Sequence, residues 1–254
     1  MREPAAREYS CAIAVMAKAP RPGLVKTRLI PPLTAGSAAA LSASFLRDIT
    51  ENIKLAARHT AIQGYVAYAP VGLERAFDGL LSDGTRLIPA DGGNLSLTGV
   101  QGFGRSLLHA AQALFALGHD AVCLLNSDSP TLPTRLLRRA AAALAEPGDR
   151  VVLGPAEDGG YYLIGMRAPH IHLFQNIAWS TEQVAEETRA RAVALGLPLI
   201  ELDTWYDVDD AASLRRLCRE LASGRPSGCL QGYRPSATAE CLARLRIPEL
   251  LAAA

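Results

Sequence analysis

Ala121-Val122-Cys123-Leu124-Leu125 runs directly into Asn126-Ser127-Asp128-Ser129-Pro130. Five consecutive apolar residues between polar ones read as a strand buried on both faces, the habit of strands in a parallel sheet. The polar turn then lies at that strand's carboxyl end. Outward from this stretch, Cys11–Ala17, Gly64–Ala69, Thr85–Pro89, Val151–Gly154, Tyr161–Met166 and Leu199–Leu202 read as further strands. Longer amphipathic stretches separate them. Thr34–Arg58 carries Leu41, Phe45, Leu46 and Ile49 at helical spacing, and Leu73–Leu81 reads as a short helix. Arg105–Leu117 is a helix that Gly118 ends. Thr134–Ala145 has Thr134 as N-cap, Ser180–Leu195 has a Ser180/Gln183 capping box, and Asp209–Ala222 is the last helix of the series. Asp91-Gly92-Gly93-Asn94 reads as a loop.

Strand and helix in alternation imply one α/β domain with a mostly parallel sheet and helices on both faces. That domain is expected over residues 1–223. Gly224–Tyr233, rich in Gly, Pro and Ser, reads as a linker into a C-terminal tail, 224–254, with a short helical segment.

The chain has 254 residues, 49% apolar and 20% charged, with 26 basic and 25 acidic side chains for a formal charge of +1. Disorder, collagen and coiled coil are excluded as the main state. The charge balance calls for neither nucleic acid nor an anionic membrane as a partner. No run approaches the ~20 apolar residues that span a bilayer. Cys11–Ala17 is short for a signal-peptide core, and Glu3 and Glu8 acidify what would be its basic flank, so it is assigned as a strand. Five cysteines without a C-x-x-C fit neither a disulfide framework nor a zinc site, which points to a reducing cytoplasm.

Four segments carry candidate chemistry. Lys18, Arg21, Lys26 and Arg28 lie on a Gly/Pro loop around Gly23, just past the first strand. In open α/β sheets ligands bind outside the strand carboxyl ends, and such a loop can cradle a polyphosphate. The alternative is a solvated basic turn. Asp128 ends the buried strand and suits magnesium, a hard cation that takes carboxylate oxygen; otherwise it is a turn residue before Pro130. Glu157-Asp158-Gly159-Gly160 separates two strands, either as a site where backbone approaches a ligand or as a tight hairpin. Asp207-Val208-Asp209 supplies two carboxylates, one of which could be a helix N-cap. His170 and His172 lack a third ligand and are assigned to the surface.

Met16-Ala-Lys-Ala-Pro-Arg-Pro-Gly-Leu-Val-Lys-Thr-Arg-Leu29, Ser127-Asp-Ser-Pro130, Gly154-Pro-Ala-Glu-Asp-Gly-Gly-Tyr-Tyr-Leu-Ile-Gly165, Trp179-Ser-Thr181 and Asp207-Val-Asp209 occur in that order. Together they resemble the bacterial glycosyltransferase-like family of GT-A proteins, some of which are named arsenosugar-biosynthesis glycosyltransferases. The resemblance spans about residues 12–215. It implies a three-layer, Rossmann-like nucleotide-diphospho-sugar transferase fold. It further implies that Lys18, Arg21, Gly23, Lys26 and Arg28 hold the nucleotide or its phosphates, and that Asp128 with Asp207 or Asp209 holds Mg2+ or Mn2+. The Glu157-Asp158-Gly159-Gly160 loop would face the acceptor or second substrate, and Trp179 would be a further substrate-binding residue. Two departures stand out: the family's acidic segment before the central helix is here Gly102-Phe-Gly-Arg-Ser106, without a carboxylate, and Asn126 replaces a common Gly.

The leading expectation is a metal-assisted glycosyltransferase that takes a nucleotide sugar and a small acceptor, with Glu157 or Asp158 as general base and Lys26 as electrostatic catalyst. A nucleotidylyltransferase that releases pyrophosphate is the alternative, because four cations suit a triphosphate. A catalytically silent nucleotide-binding domain is the third reading. A homodimer remains open.

Overall fold

The computed structural model describes residues 9–58, 60–91, 99–223 and 231–253. Seven strands and seven α-helices alternate along it. They are β1 (Cys11–Lys18), α1 (Ala35–Ala57), β2 (Ile62–Ala69), β3 (Arg86–Pro89), α2 (Gly102–Ala116), β4 (Ala121–Leu125), α3 (Thr134–Ala145), β5 (Val151–Pro155) and β6 (Tyr161–Met166). After these come α4 (Val184–Ala194), β7 (Leu199–Glu201), α5 (Ala211–Ser223), α6 (Ser236–Arg244) and α7 (Ile247–Ala253). The strands form one sheet in the order β3-β2-β1-β4-β6-β5-β7. It is mostly parallel; β6 runs antiparallel to both β4 and β5.

β1 is apolar at every position through Ala17 because both faces are covered. Cys11, Ile13 and Val15 pack with Phe45 and Leu46 of α1, Leu136 and Leu137 of α3 and Leu214 of α5. Ala12, Ala14 and Met16 pack on the other side with Leu107, Leu108 and Leu114 of α2 and Ala185 of α4. The three-layer expectation therefore holds. Chain order reverses at β1, whose neighbours are β2 and β4. The loops after β1 and β4 consequently flank a crevice at the strands' carboxyl ends.

Several local expectations change. Leu73–Leu81 forms only a single 3-10 turn, Glu74–Phe77. Thr134 does not cap α3; its hydroxyl donates instead to Asn52 Oδ1 at 2.6 Å. The Ser180/Gln183 capping box is not formed, since Ser180 has φ +66° and α4 starts at Val184. The expected helix start at Asp209 moves to Ala211, and Asp210 provides the cap, accepting from the Ser213 amide at 2.7 Å. The 91–94 loop lies largely outside the described residues, as does 224–230 of the linker.

The segment beyond the linker carries two helices. Cys241, Leu242, Ile247 and Leu251 join the same core as β1 and α1. Buried Asp48 of α1 accepts from the amides of Ala237 and Thr238 at 3.0 and 2.7 Å, which satisfies the otherwise orphan donors of α6. Burial raises the Asp48 carboxyl above its ordinary pKa, and these bonds hold it down in part. The four described cysteines are free.

Candidate active site

Lys26, Asp128, Asp158, Asp207 and Asp209 all come from loops at strand ends. The loop after β1 does not stay extended. Gly23 takes φ +79°, Lys26 enters the left-handed region at φ 49°, and Thr27–Leu29 form a 3-10 turn anchored by buried Leu29. Lys26 and Arg28 therefore do not share a side, as residues two apart on an extended chain would. Lys26 instead turns inward, its side chain 5% exposed, while Arg28 stays exposed.

The Lys26 ammonium meets three oxygens: Asp128 Oδ1 at 2.5 Å, Asp209 Oδ1 at 2.9 Å and the Val208 carbonyl at 2.7 Å. The face of Phe45 lies 5.2 Å away. Burial disfavours the charge, but the two carboxylates outweigh it and hold the Lys26 pKa above its ordinary value. Asp128 sits where the buried β4 releases the chain. Its carbonyl accepts from the Val208 amide at 2.8 Å, so the β4 and β7–α5 loops are tied through backbone as well. With Asp210 as the cap of α5, Asp209 is left to face Lys26.

These groups line a cavity of about 440 Å³. Lys18, Arg28, Asp128, Asp158, Gly160, Asp207 and Asp209 all contribute to its wall, as do Phe103, Ser106 and Tyr161. Four carboxylates against one inward ammonium leave negative charge in excess. Asp207 records it: burial first, then Asp209, Asp158 and Asp128, push its carboxyl up to about 7. The donor set is hard oxygen and fits Mg2+ or Mn2+ in chemistry. Among the described residues no three His, Cys, Asp or Glu side chains are gathered in a metal-binding arrangement; the ammonium lies among the oxygens that would be needed.

Other expected site residues lie elsewhere. Glu157 pairs with Arg216 at 2.7 Å, and Arg216 also pairs with Glu220 and stacks 3.8 Å over Tyr206. Trp179 lies behind the wall, edge-on to Phe103 and Tyr161. Gly159, at φ +87°, packs against the backbone of Glu182, where a Cβ would lie 2.0 Å from a carbonyl oxygen. Neither Glu157, Trp179, Gly159, Arg21 nor Gly23 lines the cavity. His170 pairs with Asp149 at 3.0 Å and His172 contacts Gln175, so the two histidines form no ligand pair.

Sequence reasoning missed Phe103, Ser106 and Tyr161 as wall residues. Tyr161 follows Gly160 directly, a placement that could have identified it. The Val208 carbonyl left no sequence signal.

The same architecture occurs in solved structures. A protein from Desulfovibrio desulfuricans G20, which carries the provisional name nucleotide-diphospho-sugar transferase, is 28% identical. The match covers 95% of this chain and 99% of that one with a TM-score of 0.74. A cytidylyltransferase from Leptospira borgpetersenii is 11% identical, with coverage of 96% and 97% and a TM-score of 0.54. An inositol-1-phosphate CTP transferase from T. maritima is 14% identical, with coverage of 87% and 98% and a TM-score of 0.51. The last two likenesses concern the fold alone. No curated protein matches the sequence. Among the described residues no helix is long and apolar enough to cross a membrane. The family described as "Uncharacterized protein conserved in bacteria (DUF2064)" matches residues 52–181, and the chain belongs to that family.

Proposed function

We propose that this chain is a metal-assisted transferase that binds a nucleoside diphosphate sugar in the cavity at the ends of β1 and β4 and passes the sugar to a small acceptor. One observation carries the reading. Lys26, Asp128 and Asp209, from three loops, converge at the carboxyl ends of the strands, with Lys18 and Arg28 on the same cavity wall. The name and 28% identity of the Desulfovibrio relative support the donor class.

Asp128, Asp209 and Asp207 would hold Mg2+ or Mn2+, which neutralises charge on a leaving diphosphate. The chain's own groups supply the rest. Arg28 and Lys18 bind phosphate oxygens, Arg28 in bidentate fashion. Lys26 adds positive charge where the diphosphate departs. Asp158 lies in the cavity wall and its Oδ1 accepts from the Gly160 amide at 2.9 Å, which orients the carboxylate. It accepts the proton of the acceptor hydroxyl as that oxygen attacks the sugar and the bond to diphosphate breaks. Glu157 serves indirectly, bracing the loop through Arg216. Phe103 and Tyr161 give the cavity an apolar, aromatic side suited to a base or sugar face.

The nucleotidylyltransferase reading drew on four cations. Arg21 is outside the cavity wall, so the loop does not bring four cations to the cavity and the triphosphate argument loses its basis. The test is product analysis with a panel of sugar nucleotides, NTPs, small acceptors and Mg2+. Metal-dependent release of nucleoside diphosphate, lost in Asp128→Asn, supports the glycosyl reading. Pyrophosphate from NTP assigns the chain to nucleotidylyl transfer, and binding without either product makes it a silent binder.

A further inference from the structure

The Lys26 ammonium has three N–H donors, and all three directions are taken by oxygen: Asp128 Oδ1, Asp209 Oδ1 and the Val208 carbonyl. Two carboxylates and a backbone carbonyl are the donor set a hard divalent cation takes. The lysine is brought there at a conformational cost, since a non-glycine residue at φ 49° is uncommon. Its stem is buried and its head lies beside Phe45, so it is not a loose surface chain that happens to lean inward.

We propose that Lys26 is an internal counterion that holds the place of the divalent cation, so that metal and ammonium compete for Asp128 and Asp209. Metal entry displaces Lys26 from the carboxylates, and the freed ammonium becomes available to the phosphates that arrive with the metal. The cluster is thus neutralised in part before ligand binds, and metal and phosphate loading are coupled through one side chain. This inference rests on the metal-assisted reading above. It gives Lys26 two alternating partners, carboxylates without metal and phosphate with it. A fixed phosphate ligand would not behave so, because its approach to the carboxylates would be indifferent to metal.

The chain contains three lysines, Lys18, Lys26 and Lys54, so each can be followed separately by mass spectrometry during brief amine acetylation. In the wild-type protein, saturating Mg2+ without nucleotide raises the modification rate of Lys26 several-fold while Lys54, far from the cavity, is unchanged. In parallel, Mn2+ binding is followed by electron paramagnetic resonance in wild type and Lys26→Met. Removing the competing charge tightens Mn2+ binding by about tenfold or more. Equal or weaker Mn2+ binding in a folded Lys26→Met, or a Lys26 rate indifferent to Mg2+ when Mn2+ binds, overturns the competition and leaves metal assistance intact. If Lys26→Met does not fold, the wild-type acetylation result decides. Absence of Mn2+ binding in both proteins removes metal assistance itself, and the competition with it.

Discussion

Lys26 Nζ lies 2.5 Å from Asp128 Oδ1, joining the loop after β1 to the loop after β4 across the point where chain order in the sheet reverses. A pair with a buried ammonium and a half-buried carboxylate contributes little net stability, because desolvation of the lysine offsets much of the attraction. Its value lies in holding a charged group at a defined place over a cavity. Asp128→Asn leaves Lys26 its contacts to Asp209 and Val208, so the fold persists. The expected outcome is a loss of metal-dependent nucleotide affinity, read by calorimetric titration with and without Mg2+, at an unchanged circular dichroism spectrum.

Arg28 is exposed on the cavity wall. Arg28→Ala is expected to weaken binding of nucleoside diphosphates by about one to two orders of magnitude, the worth of a charge-assisted hydrogen bond. Nucleoside affinity and melting temperature stay as in wild type. Equal loss for nucleoside and nucleotide refutes the phosphate role.

Asp207 titrates near neutrality, its carboxyl pushed up to about 7 by burial and by Asp209, Asp158 and Asp128. The folded state therefore binds the proton more tightly than the unfolded state. This group's contribution to stability is full below the ordinary carboxylate range and is lost as pH rises toward 7. Asp207→Asn should melt with wild type at about pH 3.5 and above it by a margin that widens from about pH 5 to pH 8. A metal competes with that proton, so Mn2+ affinity of the wild type rises with pH up to about 7 and levels off beyond.

Gly159 distinguishes a structural glycine from one that admits ligand. A Cβ there meets the Glu182 carbonyl oxygen at 2.0 Å, and φ is +87°. Gly159→Ala should cost about 2 kcal/mol, which lowers Tm by roughly 4–8 °C. Gly160→Ala, whose Cβ meets only the Asp158 carboxylate at 3.1 Å, should melt close to wild type and act through ligand binding.

The sheet was legible because its strands are continuous apolar runs, and Asp128 because it ends the most uniform of them, Ala121–Leu125. The direction of each side chain was less so. Lys26 reaches Asp128 only because the backbone turns left-handed at that residue and then enters a 3-10 turn, and nothing in Lys26-Thr27-Arg28 announces this. Asp209 and Asp210 are equivalent as caps by composition; Ser213 decides between them. Glu157 beside Asp158 appeared equally catalytic until Arg216, from a helix more than fifty positions later, claimed it. The core role of residues 236–251 was hidden because its key contact, Asp48 with the α6 amides, joins segments far apart in sequence.

In the proposed function a divalent cation and a nucleoside diphosphate share the cavity at the ends of β1 and β4. Anomalous diffraction from crystals soaked with Mn2+ and a nucleoside diphosphate tests it most directly. The expected result is one manganese peak on the carboxylates of Asp128 and Asp209, with the diphosphate against Lys18 and Arg28 and the Lys26 ammonium drawn off the carboxylates. A nucleotide bound outside this cavity, or manganese on other residues while Lys26 keeps Asp128, would contradict it.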